Sequence, residues 1–229
     1  WKIAPALACA CTIVFKPSEE TPLTALFLAE LSVEAGIPEG VINVVTGDGQ
    51  NAGNDIVKHP LVSKITFTGS TNVGKIIGQG AAKTLKDFTL ELGGKNPVLV
   101  LDDADLNKVP KGATKGIFYN QGQVCVSGSR IYLPKNKYDN LLGDIGDIAN
   151  NMKTGNGFDV NSQMGPLVSE KHMQNVMRYI DSGKTAGAEV VAGGNKLFDK
   201  GYYVAPTVFS NPNNKKIDIL TEEIFGPVI

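Results

Sequence analysis

Strand-like and helix-like segments alternate along the chain, and this alternation constrains the fold more than any other feature. The segment "TIVFK" at 12–16 is β-branched and apolar, and "TALFLAELSVEAG" at 24–36 has helical spacing and ends at a glycine. The strand pattern returns in "GVINVVTG" at 40–47 and in "KITFTG" at 64–69, with a short helix between them that ends at Pro60. This rhythm predicts a Rossmann-like α/β fold with a parallel sheet and helices on both of its faces.

The same rhythm restarts after "LELGG", which predicts a domain boundary at Gly93 and Gly94. We therefore predict two α/β domains, residues 1–92 and residues 93–229. Pro110 interrupts a helical segment of the second domain, and we expect a kink there. The further predicted elements of this domain are a helix at 137–153 and strands at 129–134, 188–194 and 202–210.

Charge and cysteine content exclude several classes of function. The 22 basic and 23 acidic residues leave a net charge of -1, with none of the basic excess that nucleic acid or an anionic membrane attracts. No apolar run approaches the ~20 residues of a membrane-spanning helix. The cysteines and histidines are not spaced as zinc ligands typically are; they are Cys9, Cys11, Cys125, His59 and His172. We predict no metal, no nucleic acid, no membrane partner and a reducing, cytoplasmic location.

Two segments of the first domain are candidates for binding a nucleotide. In "FTGSTNVG", Gly69 and Ser70 lie where a strand meets a helix, and backbone N–H groups at such a turn bind phosphate. The same residues also fit an ordinary turn with Ser70 as N-cap, and the local pattern alone favours that interpretation. In "FKPSEE", Lys16 and Glu19 follow a strand, where α/β sheets bind ligands. The alternative is an acidic helix start that suits the helix dipole.

Three further segments contain side chains suited to catalysis or to ligand contact. In "LELGGKNP", Glu91 is a general base if apolar side chains surround it, or a solvated residue of an alternating strand. In "YNQGQVCVSGSR", small neighbours leave room for a substrate at Cys125, although a lone cysteine is more often a buried core residue. In "EEIFGPVI", Glu223 and Phe225 also fit a plain loop that enters a strand.

Together these motifs resemble the aldehyde dehydrogenase superfamily. "KPSE", "FTGST", "ELGGKNP", "GQVC…SR" and "EEIFGPV" occur here in the order and with the separations of that family. The resemblance covers essentially the whole chain, and the pairing of "LELGGK" with "NQGQVC" is its most specific part. It implies a fold with a partial cofactor domain and a catalytic domain that carries a thiol loop.

The resemblance also implies a role for each site residue. Cys125 matches the catalytic thiol, and Glu91 matches the base that activates water to hydrolyse the thioester. His172 lies where some members contact the cofactor. The backbone N–H of Cys125 matches one oxyanion donor, and a second donor, an asparagine side chain, is expected upstream of Trp1. The implied cofactor-binding residues are Lys16, Glu19, Gly49, Gly69, Ser70, Val73, Glu223 and Phe225.

The implied activity is the oxidation of a small-molecule aldehyde to a carboxylate. NAD is the expected cofactor and NADP the alternative, because the carboxylate of Glu19 repels a 2′-phosphate. The abrupt apolar start at Trp1 and the end at "EEIFGPVI" lead us to expect an internal fragment of a longer protein that forms a homodimer or homotetramer. The alternatives are an inactive truncated chain, a non-catalytic binding protein, or a coenzyme A-acylating enzyme, against which Glu91 argues.

Overall fold

The computed structural model describes residues 1–211 and 216–229, and it divides the chain into two compact units, residues 1–92 and residues 93–229. Within the described residues the strands hydrogen-bond as four two-stranded pairs, three parallel and one antiparallel. Helices alternate with these strands, so the predicted α/β class is confirmed. What each unit binds stays a prediction.

The first unit contains two parallel strand pairs, and a helix connects the strands of each pair. Parallel strands require such a crossover, so each pair with its helix is a strand–helix–strand unit. The pair β1–β2 is connected through α2, and the pair β3–β4 is connected through α4. The elements are α1 (Ile3–Ala8), β1 (Ile13–Phe15), α2 (Leu23–Glu34), β2 (Ile42–Val44), α3 (Asn54–Lys58), β3 (Lys64–Gly69), α4 (Thr71–Ala82) and β4 (Asp87–Leu92).

Helix α4 shows how the sequence sets both the start and the buried face of a helix. The Ser70 side chain accepts a hydrogen bond from the backbone N–H of Val73 (3.3 Å), so Ser70 is an N-cap. The helix then buries Gly74, Ile77 and Ala81 at helical spacing. Ile77 and Ala81 form the core of this unit with Val57 and Ile65.

Helix α2 buries a different face from the one its leucines suggest. Leu26, Leu31 and Val33 remain between 38% and 56% exposed, whereas Ala25 and Ser32 are buried. Small residues let the helix approach its neighbours closely. The buried hydroxyl of Ser32 is satisfied because it donates to the carbonyl of Ala29 (2.7 Å).

The second unit is built around two hydrophobic clusters. One contains Ile117 and Phe118 of α5 with Ile145 of α6, and the other contains Val176 and Ile180 of α7. Both clusters include fully or nearly fully buried aliphatic side chains, which fix the helices against the strands. The elements are β5 (Asn96–Leu99), α5 (Val109–Phe118), β6 (Gly128–Tyr132), α6 (Tyr138–Asn150), α7 (Glu170–Thr185), β7 (Glu189–Ala192), β8 (Val208–Ser210) and α8 (Asp218–Thr221).

Two sequence predictions for the second unit are wrong. Pro110 does not kink a helix, because it lies in the first turn of α5, where its missing N–H leaves no hydrogen bond unmade. The predicted strand at 202–210 is reduced to Val208–Ser210, which pairs antiparallel with β7. Pro206 has no N–H to donate to a ladder, and the residues before it make only an isolated bridge at Val204.

The sequence reading also included no helix at Glu170–Thr185, where the structure has α7. Among residues 1–211 and 216–229, no helix has both the length and the apolar character needed to cross a membrane.

Candidate active site

Cys125 is half-buried on the loop that follows α5. Three consecutive residues of that loop have an unusual backbone conformation. Asn120, Gln121 and Gly122 have φ angles of 49°, 57° and 70°, in the left-handed region. A Cβ on Gly122 would lie 2.1 Å from the carbonyl oxygen of Gly226, so only glycine fits there. Such a run of uncommon conformations is typical of functional loops.

Cys125 lies in a four-residue turn that a neighbouring strand holds in place. We call residues 124–127 the thiol turn. The N–H of Ser127 donates to the carbonyl of Val124 (3.1 Å), which closes a β-turn with Cys125 at its second position. The side-chain amide of Asn96 donates to the carbonyls of Cys125 (2.9 Å) and Ser127 (3.3 Å). The first residue of β5 is therefore hydrogen-bonded to the second and the last residues of the thiol turn.

The two glycines of "LELGGK" let the chain pass between the thiol turn and Glu223. A Cβ on Gly93 would lie 1.8 Å from an oxygen of the Glu223 carboxylate, so that carboxylate occupies the place a side chain would need. The N–H of Gly94 donates to Glu223 (3.3 Å), and a Cβ on Gly94 would lie 3.2 Å from the carbonyl oxygen of Cys125. One short backbone segment thus contacts two of the predicted site residues.

The side chain of Lys95, in the same segment, has a perturbed pKa. Burial and the like charge of Arg130 lower the pKa of Lys95 to about 8, although the carboxylate of Glu223 acts in the opposite direction. Arg130 also donates to the backbone carbonyl of Lys95. Lys95 therefore loses its positive charge as the pH rises through about 8, which changes the charge near Glu223.

Phe225 and His172 lie together beside Glu223. Phe225 has a φ of 56°, an uncommon conformation for a residue with an aromatic side chain. His172 Nε2 donates to the carbonyl of Phe225 (2.7 Å), and the two rings meet edge to face at 5.9 Å. The neighbouring Glu222 accepts a hydrogen bond from the Tyr179 hydroxyl (2.6 Å). These contacts fix the segment that presents Glu223 and Phe225.

In the first unit, Lys16 and Glu19 meet at the carboxyl end of β1. Lys16 Nζ donates to the carbonyls of Pro17 (2.7 Å) and Gly47 (3.0 Å) and lies 3.5 Å from the Glu19 carboxylate. A backbone hydrogen bond, together with the charge of Lys16, lowers the pKa of Glu19 and keeps it anionic. Lys16 thereby links the segments that follow two parallel strands, at the carboxyl edge where α/β sheets bind ligands.

The other nucleotide candidates lie on turns of the first unit. Gly49 begins a π-helical turn, Gly49–Gly53, which Asp48 caps by accepting from the Asn51 N–H. A Cβ on Gly69 would lie 2.4 Å from the ring of Phe67. Ser70 caps α4, as the ordinary-turn interpretation predicts, so phosphate binding there stays a prediction. Val73 is 42% exposed on the first turn of that helix.

Glu91 is exposed on β4, while Leu90 and Leu92 on either side of it are half-buried. The structure therefore shows the alternation that the solvated-strand interpretation predicts. Glu91 pairs in register with Thr68 of β3. Its role as a base stays a prediction.

Sequence reasoning missed three residues that the structure places in contact with the predicted ones. A Cβ on Gly53 would lie 3.6 Å from the aliphatic part of Lys16, Lys95 lies near Glu223, and Asn96 donates to the thiol turn. The last two belong to "LELGGKNP", where only Glu91 had been singled out. Among the described residues there is no group of three or more His, Cys, Asp or Glu side chains arranged to hold a metal ion.

Comparison with known proteins defines the class of protein. The profile of the aldehyde dehydrogenase family matches residues 1–229, and the chain belongs to this family. A phenylacetaldehyde dehydrogenase from Pseudomonas fluorescens is 50% identical over 100% of this chain and 46% of its own length. The chain thus spans less than half the length of this relative.

Solved structures give the same result. An aldehyde dehydrogenase from Bacillus cereus in its NAD+ complex superposes with a TM-score of 0.97 and 48% identity, over 100% of this chain and 46% of that one. A double mutant of betaine aldehyde dehydrogenase from Staphylococcus aureus, with NAD+ and a BME-modified cysteine, superposes with a TM-score of 0.95 and 40% identity. That match covers 100% of this chain and 47% of the other.

Proposed function

We propose that this chain is part of an NAD-dependent aldehyde dehydrogenase that oxidises a small-molecule aldehyde to a carboxylate with Cys125 as nucleophile. The observation that carries the proposal is the thiol turn. It holds a half-buried cysteine at a fixed position, in a chain that belongs to the aldehyde dehydrogenase family. A nucleophile held at a fixed position by hydrogen bonds meets the positional requirement of covalent catalysis.

In this proposal the Cys125 thiolate attacks the aldehyde carbon, and the carbonyl oxygen becomes an oxyanion in a thiohemiacetal. The backbone N–H of Cys125 donates to that oxyanion, because a donor in place before the reaction stabilises developing charge. Loss of hydride leaves a thioester on Cys125. Glu91 takes a proton from water as the water oxygen attacks the thioester; the C–S bond breaks to give the carboxylic acid and the Cys125 thiolate, and the acid and Glu91 release their protons to solvent.

NAD+, when bound, accepts the hydride. The donor set of the first unit suits a dinucleotide, because Glu19 presents an anionic carboxylate to ribose hydroxyls beside the Lys16 ammonium. We assign the turn at Gly69 and Ser70, with the exposed Val73 on the first turn of α4, to the pyrophosphate, because helix N-termini favour anions. In the second unit we assign Glu223 and Phe225 to the nicotinamide ribose and ring.

We propose a class of substrate and a kind of assembly, but not a particular aldehyde or a single number of subunits. The names of two relatives specify phenylacetaldehyde and betaine aldehyde, which differ in charge and in aromatic character. We propose a small-molecule aldehyde as substrate, without further identity. We also propose a cytoplasmic homodimer or homotetramer for the whole protein, as the family resemblance implies.

The experiment that tests the proposal is turnover of an aldehyde panel by the whole protein. Aromatic, aliphatic and cationic aldehydes are incubated with NAD+ or NADP+, and reduced cofactor and carboxylate are quantified. We expect at least one aldehyde to give NADH and carboxylate in equal amounts. The proposal fails if folded protein forms neither product from any aldehyde in the panel.

The preference for NAD is tested by Glu19→Gln, which keeps the shape of the side chain and removes its charge. Loss of repulsion toward a 2′-phosphate is expected to raise the NADP/NAD ratio of kcat/KM by about tenfold or more. Glu20→Gln is the matched control, since this exposed neighbour lies beside Glu19 in the same turn. An equal change in both variants, or none in Glu19→Gln, would show that Glu19 does not set the preference.

A further inference from the structure

The side chain of Asn96 makes contacts that the proposed chemistry leaves without a role. Its amide nitrogen donates to two carbonyls of the thiol turn, those of Cys125 (2.9 Å) and Ser127 (3.3 Å). Both N–H donors of this amide are therefore directed at the nucleophile's own loop. An amide that donates to two carbonyls of one turn restrains that turn more strongly than either hydrogen bond alone.

The position of Asn96 on β5 explains why its side chain reaches the turn. Asn96 is the first residue of β5 and pairs with Gly128, which follows the thiol turn directly. The ladder shifts register between Asn96 and Pro97, and Pro97 has no N–H to continue it. The strand thus begins level with the end of the turn, so the Asn96 side chain extends back along the turn.

The turn itself has only one internal hydrogen bond in this structure, from the N–H of Ser127 to the carbonyl of Val124 (3.1 Å). Val126, at its tip, is 70% exposed and makes no core contact that would hold the loop. Asn96 and the close approach of Gly94 to the Cys125 carbonyl (3.2 Å for an added Cβ) therefore act directly on the Cys125 peptide.

We propose that Asn96 is a positioning residue: its amide fixes the thiol turn so that the Sγ and the backbone N–H of Cys125 hold the geometry needed for attack. Asn96 acts through Cys125 and touches neither substrate nor cofactor in this account. Misplacement of a nucleophile by about 1 Å can lower a rate by about a hundredfold, so a loosened turn affects turnover more than folding. The expected effect on kcat rests on the proposed function, whereas the expected restraint of the thiol turn does not.

The test uses Asn96→Ala, which removes both hydrogen bonds, and Asn96→Asp, which keeps the shape but offers no donor when ionised. Asn151→Ala is the matched control, because the Asn151 amide also donates to a backbone carbonyl, that of Asp147 (2.8 Å), at the end of α6. Two quantities are measured in the whole protein: amide hydrogen exchange of residues 119–130, and kcat and KM for aldehyde and NAD+.

We expect exchange of the Ser127 amide to accelerate about tenfold in both Asn96 variants, and kcat to fall by about tenfold or more. KM for NAD+ is expected to change by less than about threefold, because the amide contacts only the thiol turn. Asn151→Ala should leave the exchange of the turn and kcat within about twofold of the parent. If Asn96→Ala folds poorly, the same measurements are made on Asn96→Asp alone.

Two results would overturn the proposal. Faster exchange with unchanged kcat would make Asn96 a merely structural residue, and lower kcat with unchanged exchange would mean that it does not act through the turn. Hydrogen exchange requires no aldehyde. The restraint is therefore judged separately from the aldehyde panel, and failure of the proposed function is recognised by inactivity of the parent protein.

Discussion

Cys125→Ala is expected to abolish aldehyde oxidation by the whole protein, with a fall in kcat of about 10⁴-fold or more. Removal of the sulfur leaves no atom to form the thiohemiacetal, so hydride transfer loses its donor. The cofactor-binding residues of the first unit are untouched, and NAD+ binding should stay within about threefold of the parent. Steady-state NADH formation and titration of NAD+ binding measure the two effects.

The controls for this change are the other two cysteines. Cys9 and Cys11 are exposed and lie in the first unit, so Cys9→Ala and Cys11→Ala should keep at least about half of the parent kcat. Parent-like turnover by a correctly folded Cys125→Ala protein would refute the assignment of the nucleophile. Inactivity of all three variants would point to a general effect of cysteine loss.

Glu91→Gln is expected to separate the two halves of the reaction. Without the base, hydrolysis of the thioester slows by about 10²–10³-fold, while hydride transfer proceeds. Stopped-flow absorbance should then show a rapid burst of about one NADH per active site, followed by slow turnover.

Asp87→Asn is the matched control, since Asp87 is an exposed carboxylate at the other end of the same strand. It should show parent-like turnover and no change in burst. A Glu91→Gln protein that turns over slowly without a burst would place Glu91 before or at hydride transfer. In that case its proposed role in hydrolysis would be wrong.

The strand–helix–strand order of the first unit could be predicted because its signals are local. The β-branched run of β3, the N-cap at Ser70 and the apolar spacing through Ile77 each depend on neighbouring residues only. The wrong predictions involve distant partners or position within an element. Pro110 leaves α5 unkinked because the helix begins at Val109, and the strand predicted at 202–210 is short because Pro206 has no N–H to donate to a partner strand.

In the candidate site, too, local motifs could be predicted from the sequence, whereas contacts between distant residues could not. Cys125, Glu91 and Glu223 are candidates because each lies in a short, characteristic motif. The contacts of Asn96 with the thiol turn join residues 29 and 31 positions apart, and the contact between Gly94 and Glu223 joins residues 129 positions apart. Motif spacing carries no information on which side chain donates to which carbonyl. These contacts depend on how the strands pair, and they appear only in the structure.

The central claim, that Cys125 carries the acyl intermediate, is tested most directly by mass spectrometry of the trapped enzyme. Glu91→Gln protein is mixed with NAD+ and a turned-over aldehyde, quenched in acid and digested with trypsin. The peptide 116–130 contains Cys125 and neither of the other cysteines. The account predicts that this peptide gains the mass of the acyl group in an amount equal to the NADH burst. An NADH burst with this peptide unmodified, or with the acyl group on another peptide, would contradict it.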